Sequence, residues 1–419
     1  MRVIVVDPFL SDLSGHNFFY NTALCAELKK RNIPFVIFGN KDSRLRIDGF
    51  YPALESITDK FFLAGNPLAS LIRLTRAIRS SNAKLQRSFF DNPGFALQEG
   101  DVVFCHTLYV FEFFSFACFL RRHRRSFVAK DCTFRIGLHF RYVRSSRTAT
   151  FVLGMLYRVI TKFMLAPLAG SVIYHSDGRM LIPEFERLLG KKITLSSMPV
   201  YPLRLGAGGG SSARFKPDAY KDAITLSYIG GARYGKGFDV FVSAVERLAK
   251  DRELLNRVFI ICQADVQKNV QPKKDTEAVY RAAARLETAA KAIPRLKVIR
   301  GSLSLPDYYS LLLESDAIVL PYRDEVYRVV TSNIFVEAVI AGKIPFVSQN
   351  TWMADELSHY GLEKLAFRLD ADDIIAVIAP ALDRLPEYRA GIKQMQTDYQ
   401  GFYNARRLVD MITAVRGRQ

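Results

Sequence analysis

The stretch Tyr327–Val347, YRVVTSNIFVEAVIAGKIPFV, decides how this chain is read. Thr331, Ser332 and Asn333 are cap-type residues set directly before the apolar run IFVEAVIA. That run makes about two turns of helix, Gly342 stops it, and Ile344–Val347 has the apolar, β-branched character of an interior strand. A helix N-terminus presents unpaired N–H groups and a partial positive charge, so a phosphate can sit at Ser332 and Asn333. Glu337 is the one charge in the helix. Side chains lean toward a helix's N-terminal end, so a carboxylate in the second turn points back at whatever is held there, and a ribose diol suits it. The competing reading is a solvated charge on an amphipathic helix.

A second segment lies about 100 residues upstream. Ile224–Ile229 reads as a strand running into GGARYGKGFDVF, after which Val240–Lys250 has helical spacing. Gly230 and Gly231 let the backbone approach a ligand closely, and Arg233 and Lys236 set two cations at the head of the following helix.

Together the two segments resemble the donor-binding half of the GT-B retaining glycosyltransferases of family GT4. NIFVEAVIAGKIPFV is similar to the end of that family's E-x7-E signature, and GGARYGKG to its G-x-x-x-x-K-G segment. The resemblance implies an α/β chain of two doubly wound Rossmann-like domains facing a central cleft, with the acceptor in the first and the donor in the second. It implies that Arg233 and Lys236 clamp the donor diphosphate and that Glu337 binds the nucleotide ribose. Gly230, Gly231, Thr331, Ser332, Asn333 and Ile334 would line the donor, with Gln263 and Tyr322 from connections that carry sugar and base contacts. Gly15, next to His16, is the comparable position in the first loop.

Two features of the family are missing from their expected places. Eight residues before Glu337 stands Val329, where the family has a Glu that contacts the donor sugar. Lys130 or Asp131 stands where a His commonly lies beside the reacting sugar, and His106, at the end of another strand, is the candidate substitute. The catalytic candidates are therefore Arg233, Lys236, Glu337, His106 and Asp131. The implied reaction moves a sugar from a nucleotide-sugar to a polysaccharide, lipid-linked or cell-surface glycan with retention of configuration. The leaving phosphate assists deprotonation of the acceptor, so no cofactor and no essential metal is implied. A GT-B-type nucleotide-sugar epimerase and a catalytically inactive partner protein are the alternatives.

At 419 residues and 49% hydrophobic content the chain is long enough for two cores. The expected division is an N-terminal domain over 1–203, a Gly/Ser-rich linker over 204–218, a C-terminal domain over 219–385, and helices crossing back over 386–419. In the first half Val3–Val6 and Pro34–Phe38 read as strands flanking a helix over Asn17–Arg31. Asp101–Cys105, Arg125–Ala129 and Ser171–Tyr174 read as further strands, and 41–100 as irregular apart from a basic amphipathic stretch around Leu71–Leu85. In the second half strands over Val258–Cys262, Leu296–Ile299 and Ala317–Leu320 alternate with helices over Asp275–Ala292 and Leu305–Glu314.

Five irregularly spaced cysteines point to reduced thiols in the cytoplasm, and no apolar run reaches the roughly 18 residues of a spanning helix. The charge is less ordinary: 59 Lys and Arg against 41 Asp and Glu leave +18. Between Phe113 and Leu168 eleven of these cations meet a single acid, Asp131, and are interleaved with aromatic residues. Basic groups beside exposed apolar side chains suit an anionic membrane surface better than nucleic acid. The expectation is a peripheral protein on the cytoplasmic face of the membrane.

Overall fold

Every strand pairing is parallel in the computed structural model, which describes residues 1–11, 15–43, 45, 49–57, 67–138, 154–200, 214–266 and 273–414. The chain divides into two compact units, Met1–Tyr201 with Asn404–Gln419, and Pro202–Tyr403.

In the first unit β1 (Val3–Asp7) is followed by α1 (Gly15–Lys30), β2 (Phe35–Asn40), β3 (Phe50–Leu54) and α2 (Pro67–Phe89). Then come β4 (Val102–Leu108), α3 (Val110–Arg122), α4 (Arg124–Ala129) and β5 (Thr133–Leu138). A helical run over 154–164, β6 (Val172–Ser176), α5 (Ile182–Leu189) and β7 (Ile193–Leu195) complete it. The sheet order β3-β2-β1-β4-β5-β6-β7 reverses direction between β1 and β4. Both strands there are buried along their apolar length, VIVV and VVFC, as a sheet covered on both faces requires.

In the second unit β8 (Ile224–Tyr228) leads to α6 (Phe238–Leu248), β9 (Val258–Ala264), α7 (Lys273–Ala292) and β10 (Leu296–Arg300). Next are α8 (Leu305–Glu314), β11 (Ala317–Leu320), α9 (Asp324–Tyr327), α10 (Asn333–Ile340) and β12 (Ile344–Ser348), with β13 (Ala366–Phe367) at the edge. The order β10-β9-β8-β11-β12-β13 reverses between β8 and β11. In open parallel sheets the ligand crevice lies outside the carboxyl ends of the strands at such a reversal. The two segments singled out in the sequence leave the sheet next to it.

The segment 386–419 is split between the units. Helix α11 (Leu385–Phe402) packs on α10, with Gln396 Nε2 donating to the Ile340 carbonyl at 2.7 Å, whereas α12 (Ala405–Thr413) belongs to the first unit. There Arg31 binds Asp410 at 2.6 Å, and Ser197 Oγ donates to the Asn404 carbonyl at 3.0 Å. Most of the 204–218 linker lies outside the described residues.

One strand expectation is corrected. Arg125–Ala129 lies in helix α4, with Phe127 buried and Val128 exposed, and the strand is Thr133–Leu138. RSFVA is too short an apolar run for its pattern to separate strand from helix, whereas FRIGL is buried on both faces of the sheet. The stretch 41–100 also contributes more order than expected, as edge strand β3 and the long helix α2. Most aromatics of 113–168 that fall among the described residues are core: Phe113, Phe116, Phe119, Phe134 and Tyr157 are buried, and the exposed apolar residues there reduce to Val128, Met155, Val159 and Phe163. Among the described residues no helix is long and apolar enough to cross a membrane.

Candidate active site

The loop leaving β8 is built on glycines for steric reasons. Gly237 has φ +62, and a Cβ there would lie 1.7 Å from the Pro321 carbonyl oxygen, so only glycine lets this turn meet the end of β11. Arg323 fastens the same junction: Nε donates to the Tyr234 carbonyl at 3.0 Å, Nη2 to Asp239 at 2.7 Å, and the guanidinium lies 3.7 Å over the Tyr234 ring. Arg323 is thereby scaffold for the turn that carries Lys236.

Gly230 has φ +104, and a Cβ on it would come within 2.7 Å of Ile334 Cδ1 and 3.0 Å of Lys236 Nζ. The Lys236 ammonium therefore lies against bare backbone, with the first turn of α10 beside it and the Tyr322 ring 5.5 Å away. Gln263, itself buried, holds this position: the Gly230 N–H donates to its Oε1 at 2.8 Å, and its Nε2 donates to the Gly301 carbonyl at 3.1 Å. Its polar atoms are engaged by backbone, so Gln263 shapes the crevice. A Cβ on Gly231 would lie 3.4 Å from Arg233 Nε, so the guanidinium stem runs along the same glycine turn. Asp265 is tied in through its carbonyl to the Ala232 N–H at 2.8 Å and through its carboxylate to Ser302 Oγ at 3.1 Å.

Helix α10 starts as its sequence dictates. Ser332 is the N-cap, its Oγ accepting from the Phe335 N–H at 3.3 Å, and its side chain is buried. Asn333 opens the helix, Thr331 precedes the cap, and Ile334 is buried against Gly230. Glu337 sits one turn on, with its carboxylate accepting a hydrogen bond from the Tyr308 hydroxyl of α8. Burial pushes the Glu337 carboxyl up to about 7, against the Tyr308 hydrogen bond and the Lys236 charge, which both favour the ionised form. Burial, then the neighbouring Arg233 charge, lowers Lys236 to about 8, opposed by Glu337 and Asp265. Both residues are half-buried. An ammonium and a carboxyl that both titrate near neutrality, set against a glycine turn and a capped helix start, are chemically suited to a ligand with phosphate and hydroxyl groups.

Tyr308 was not singled out in the sequence. The only available signal was an aromatic pair, Tyr308–Tyr309, in the first turn of a helix that follows a strand's carboxyl end; Tyr309 is core. Val329 is buried, so no carboxylate stands at that position. Of the nearby acids, Asp324 pairs with Arg328 at 3.8 Å and Glu325 is exposed on α9.

In the first unit the reversal point gathers Asp7 from β1 and His106 from β4. Asp7 is fully buried and accepts from the Phe9 N–H at 3.0 Å and from Asn21 Nδ2 at 2.7 Å; burial raises its carboxyl to about 6 in spite of these bonds. His106 Nδ1 lies 3.7 Å from Asp7 Oδ2, its ring centroid 4.0 Å from that of Tyr20. Burial lowers His106 to about 3, so the imidazole is neutral. His175 on β6 stacks on Phe104, and Gly137 gives both histidines room, since a Cβ there would lie 2.1 Å from the His106 carbonyl oxygen and 2.7 Å from His175 Cε1.

Asp131 is not part of this group, which corrects the expectation for it. It occupies a left-handed turn, φ 45, ahead of β5, at the amino end of a strand whose neighbours β4 and β6 carry His106 and His175 toward their carboxyl ends. The residue that follows β5 in sequence is His139, outside the described residues. Gly15 opens α1, and the residues just before it also lie outside the described set. Among the described residues no group of three or more His, Cys, Asp or Glu is placed to hold a metal ion.

No family model matches the chain, and no curated protein matches it. Solved structures do. One is a UDP-forming α,α-trehalose-phosphate synthase from Burkholderia xenovorans in complex with glucose-6-phosphate, at 14% identity and TM-score 0.68, covering 97% of each chain. A trehalose-6-phosphate protein from E. coli bound with UDP-2-fluoro glucose matches at 12% identity and TM-score 0.64 over 100% of both chains. A sucrose-phosphate synthase from Thermosynechococcus elongatus matches at 15% identity and TM-score 0.62, covering 98% of this chain and 97% of that one. The chain has the GT-B fold of two Rossmann-like α/β units, as the sequence resemblance implied.

Proposed function

We propose that the protein is a retaining glycosyltransferase that takes a sugar from a nucleotide-sugar bound by its C-terminal unit. The observation that carries this reading is the convergence, at the β8/β11 reversal, of Lys236 against Gly230 with the Glu337–Tyr308 pair at the start of α10. In this reading Lys236 and Arg233 stabilise the negative charge that builds on the departing diphosphate, which is the step that needs electrostatic help. Glu337 accepts from the ribose hydroxyls, and Tyr308 holds its carboxylate in place. One similar structure is described as a UDP-forming synthase and another as bound with UDP-2-fluoro glucose, which favours a nucleotide-sugar donor.

The acceptor we propose is a polysaccharide, a lipid-linked glycan or a cell-surface glycan, reached at the cytoplasmic face of an anionic membrane. Support for the membrane comes from the basic excess of 113–168. A hexose phosphate, as named for one similar structure, is the competing acceptor and forms the other arm of the test. A thermal-shift screen with UDP, GDP, ADP and their sugars, followed by transfer assays with glycan, lipid-linked and hexose-phosphate acceptors, tests the reading; the anomeric configuration of the product is read by NMR. Absence of binding to every nucleotide-sugar overturns it. Binding without transfer to any acceptor would make the chain a non-catalytic partner.

A further inference from the structure

We propose that the first unit docks on a bilayer of anionic phospholipid through one face made of a cationic groove and an apolar stripe on either side of the last turn of α3. This names the membrane-contacting face for the peripheral reading above and stands or falls independently of sugar transfer.

The groove, of about 660 Å³, runs between α2 and α3, with Ile78 and Phe119 among its lining residues. Arg79, Arg87 and Arg122 line it, and their guanidinium groups make no hydrogen bond or ion pair among the described residues; Asp91 is its one acid. Several arginines of the second unit, by contrast, are matched to acids, as in Arg247–Asp372, Arg257–Asp383, Arg285–Glu246 and Arg300–Glu287. Unpaired guanidinium forks above apolar side chains suit phosphodiester headgroups with acyl chains beneath.

The stripe lies on the helical run 154–164. Met155, Val159 and Phe163, spaced four apart, are 49%, 44% and 67% exposed, opposite the buried Tyr157, Ile160 and Met164. Arg158 and Lys162 share the exposed side, and no acid does. Arg121 joins stripe to groove, donating to the Phe163 carbonyl at 3.3 Å beside Arg122, and Arg124 adds a further cation there, donating to the Arg121 carbonyl at 3.5 Å. Apolar side chains flanked by cations and free of acids are the pattern of an interfacial surface.

The test is co-sedimentation of the full chain with vesicles of phosphatidylcholine alone or mixed with phosphatidylglycerol. Binding to the mixed vesicles alone, weakening as salt rises, is expected. The triple variant Arg79→Gln/Arg87→Gln/Arg122→Gln should lose affinity on the order of a hundredfold, and Val159→Ser/Phe163→Ser should also weaken binding. Arg252→Gln/Arg281→Gln/Lys291→Gln removes equal charge from the second unit and should leave affinity near wild type; circular dichroism melts verify folding throughout. Equal recovery on both vesicle types, equal loss in the control triple variant, or saturation by inorganic phosphate with no vesicle binding overturns the proposal. Calorimetry with nucleotide-sugar on the same variants separates docking from donor binding.

Discussion

The Tyr308 hydroxyl donates a hydrogen bond to Glu337 Oε2, across 29 positions of sequence and between two different helices. The bond counters the burial that pushes the carboxyl toward 7, and so holds Glu337 nearer the ionised form that can accept from a diol. Tyr308→Phe should raise the Glu337 pKa and weaken nucleotide binding about three- to tenfold near neutrality, the size of one ordinary net hydrogen bond. The loss should shrink as pH rises, which calorimetry across pH would show. A pH-independent loss would make Tyr308 a packing residue only.

Donor affinity should follow a bell. A diphosphate prefers protonated Lys236, so affinity falls as pH rises through about 8. A diol prefers ionised Glu337, so affinity falls as pH drops through about 7. The pH dependence of affinity reports these free-protein values as a pair. Lys236→Arg should carry the upper limb to higher pH, and Glu337→Gln should abolish the lower one. A flat profile across this range removes both groups from the site.

Loss of the phosphate clamp should act on turnover. Arg233→Ala or Lys236→Ala should lower kcat by roughly two orders of magnitude, as when a charge-stabilising contact to a leaving group is deleted. Steady-state rates of the folded variants decide it, and wild-type rates in either would take that residue out of the mechanism.

Glu337→Gln should weaken free nucleotide and nucleotide-sugar about equally, because a ribose contact is common to both. Substitution of Asp324 or Glu325, the acids of α9 that precede Val329, should affect only the sugar-bearing ligand. Paired titrations with both ligands separate the two contacts. If Glu337→Gln binds nucleotide as tightly as wild type, the carboxylate has no ligand role.

Gly237→Ala should destabilise the second unit by at least about 2 kcal/mol, since it combines a left-handed backbone with a clash against backbone that has no room to move. The colliding atom is the Pro321 carbonyl oxygen, 1.7 Å from the added Cβ. Thermal unfolding of the second unit reads this directly. An unchanged melting temperature would mean that the β8 and β11 loops part easily.

Much of the second unit was legible in its sequence because its signals are local. Ser332 before an apolar run is a cap, Gly342 a stop, and Gly230 with Gly231 opens the backbone after a strand, each a signal carried within a few residues of itself. These local features specify α10, β12 and the glycine turn without reference to any tertiary contact. What tertiary structure alone decided is which distant groups meet. The reversal between β8 and β11 brings Gly230, Pro321 and Ile334 together. It also determines that Arg323 braces a turn and that Gln263 is taken up by backbone, while the packing of α8 beside α10 sets Tyr308 on Glu337. In the first unit the short run RSFVA satisfied a strand pattern as well as a helical one, and only sheet pairing showed that β5 begins at Thr133, which left Asp131 at the amino end of that strand. Hydrophobic periodicity specifies a local conformation, but side chains far apart in sequence acquire their partners and their perturbed protonation only when the sheet order sets them face to face.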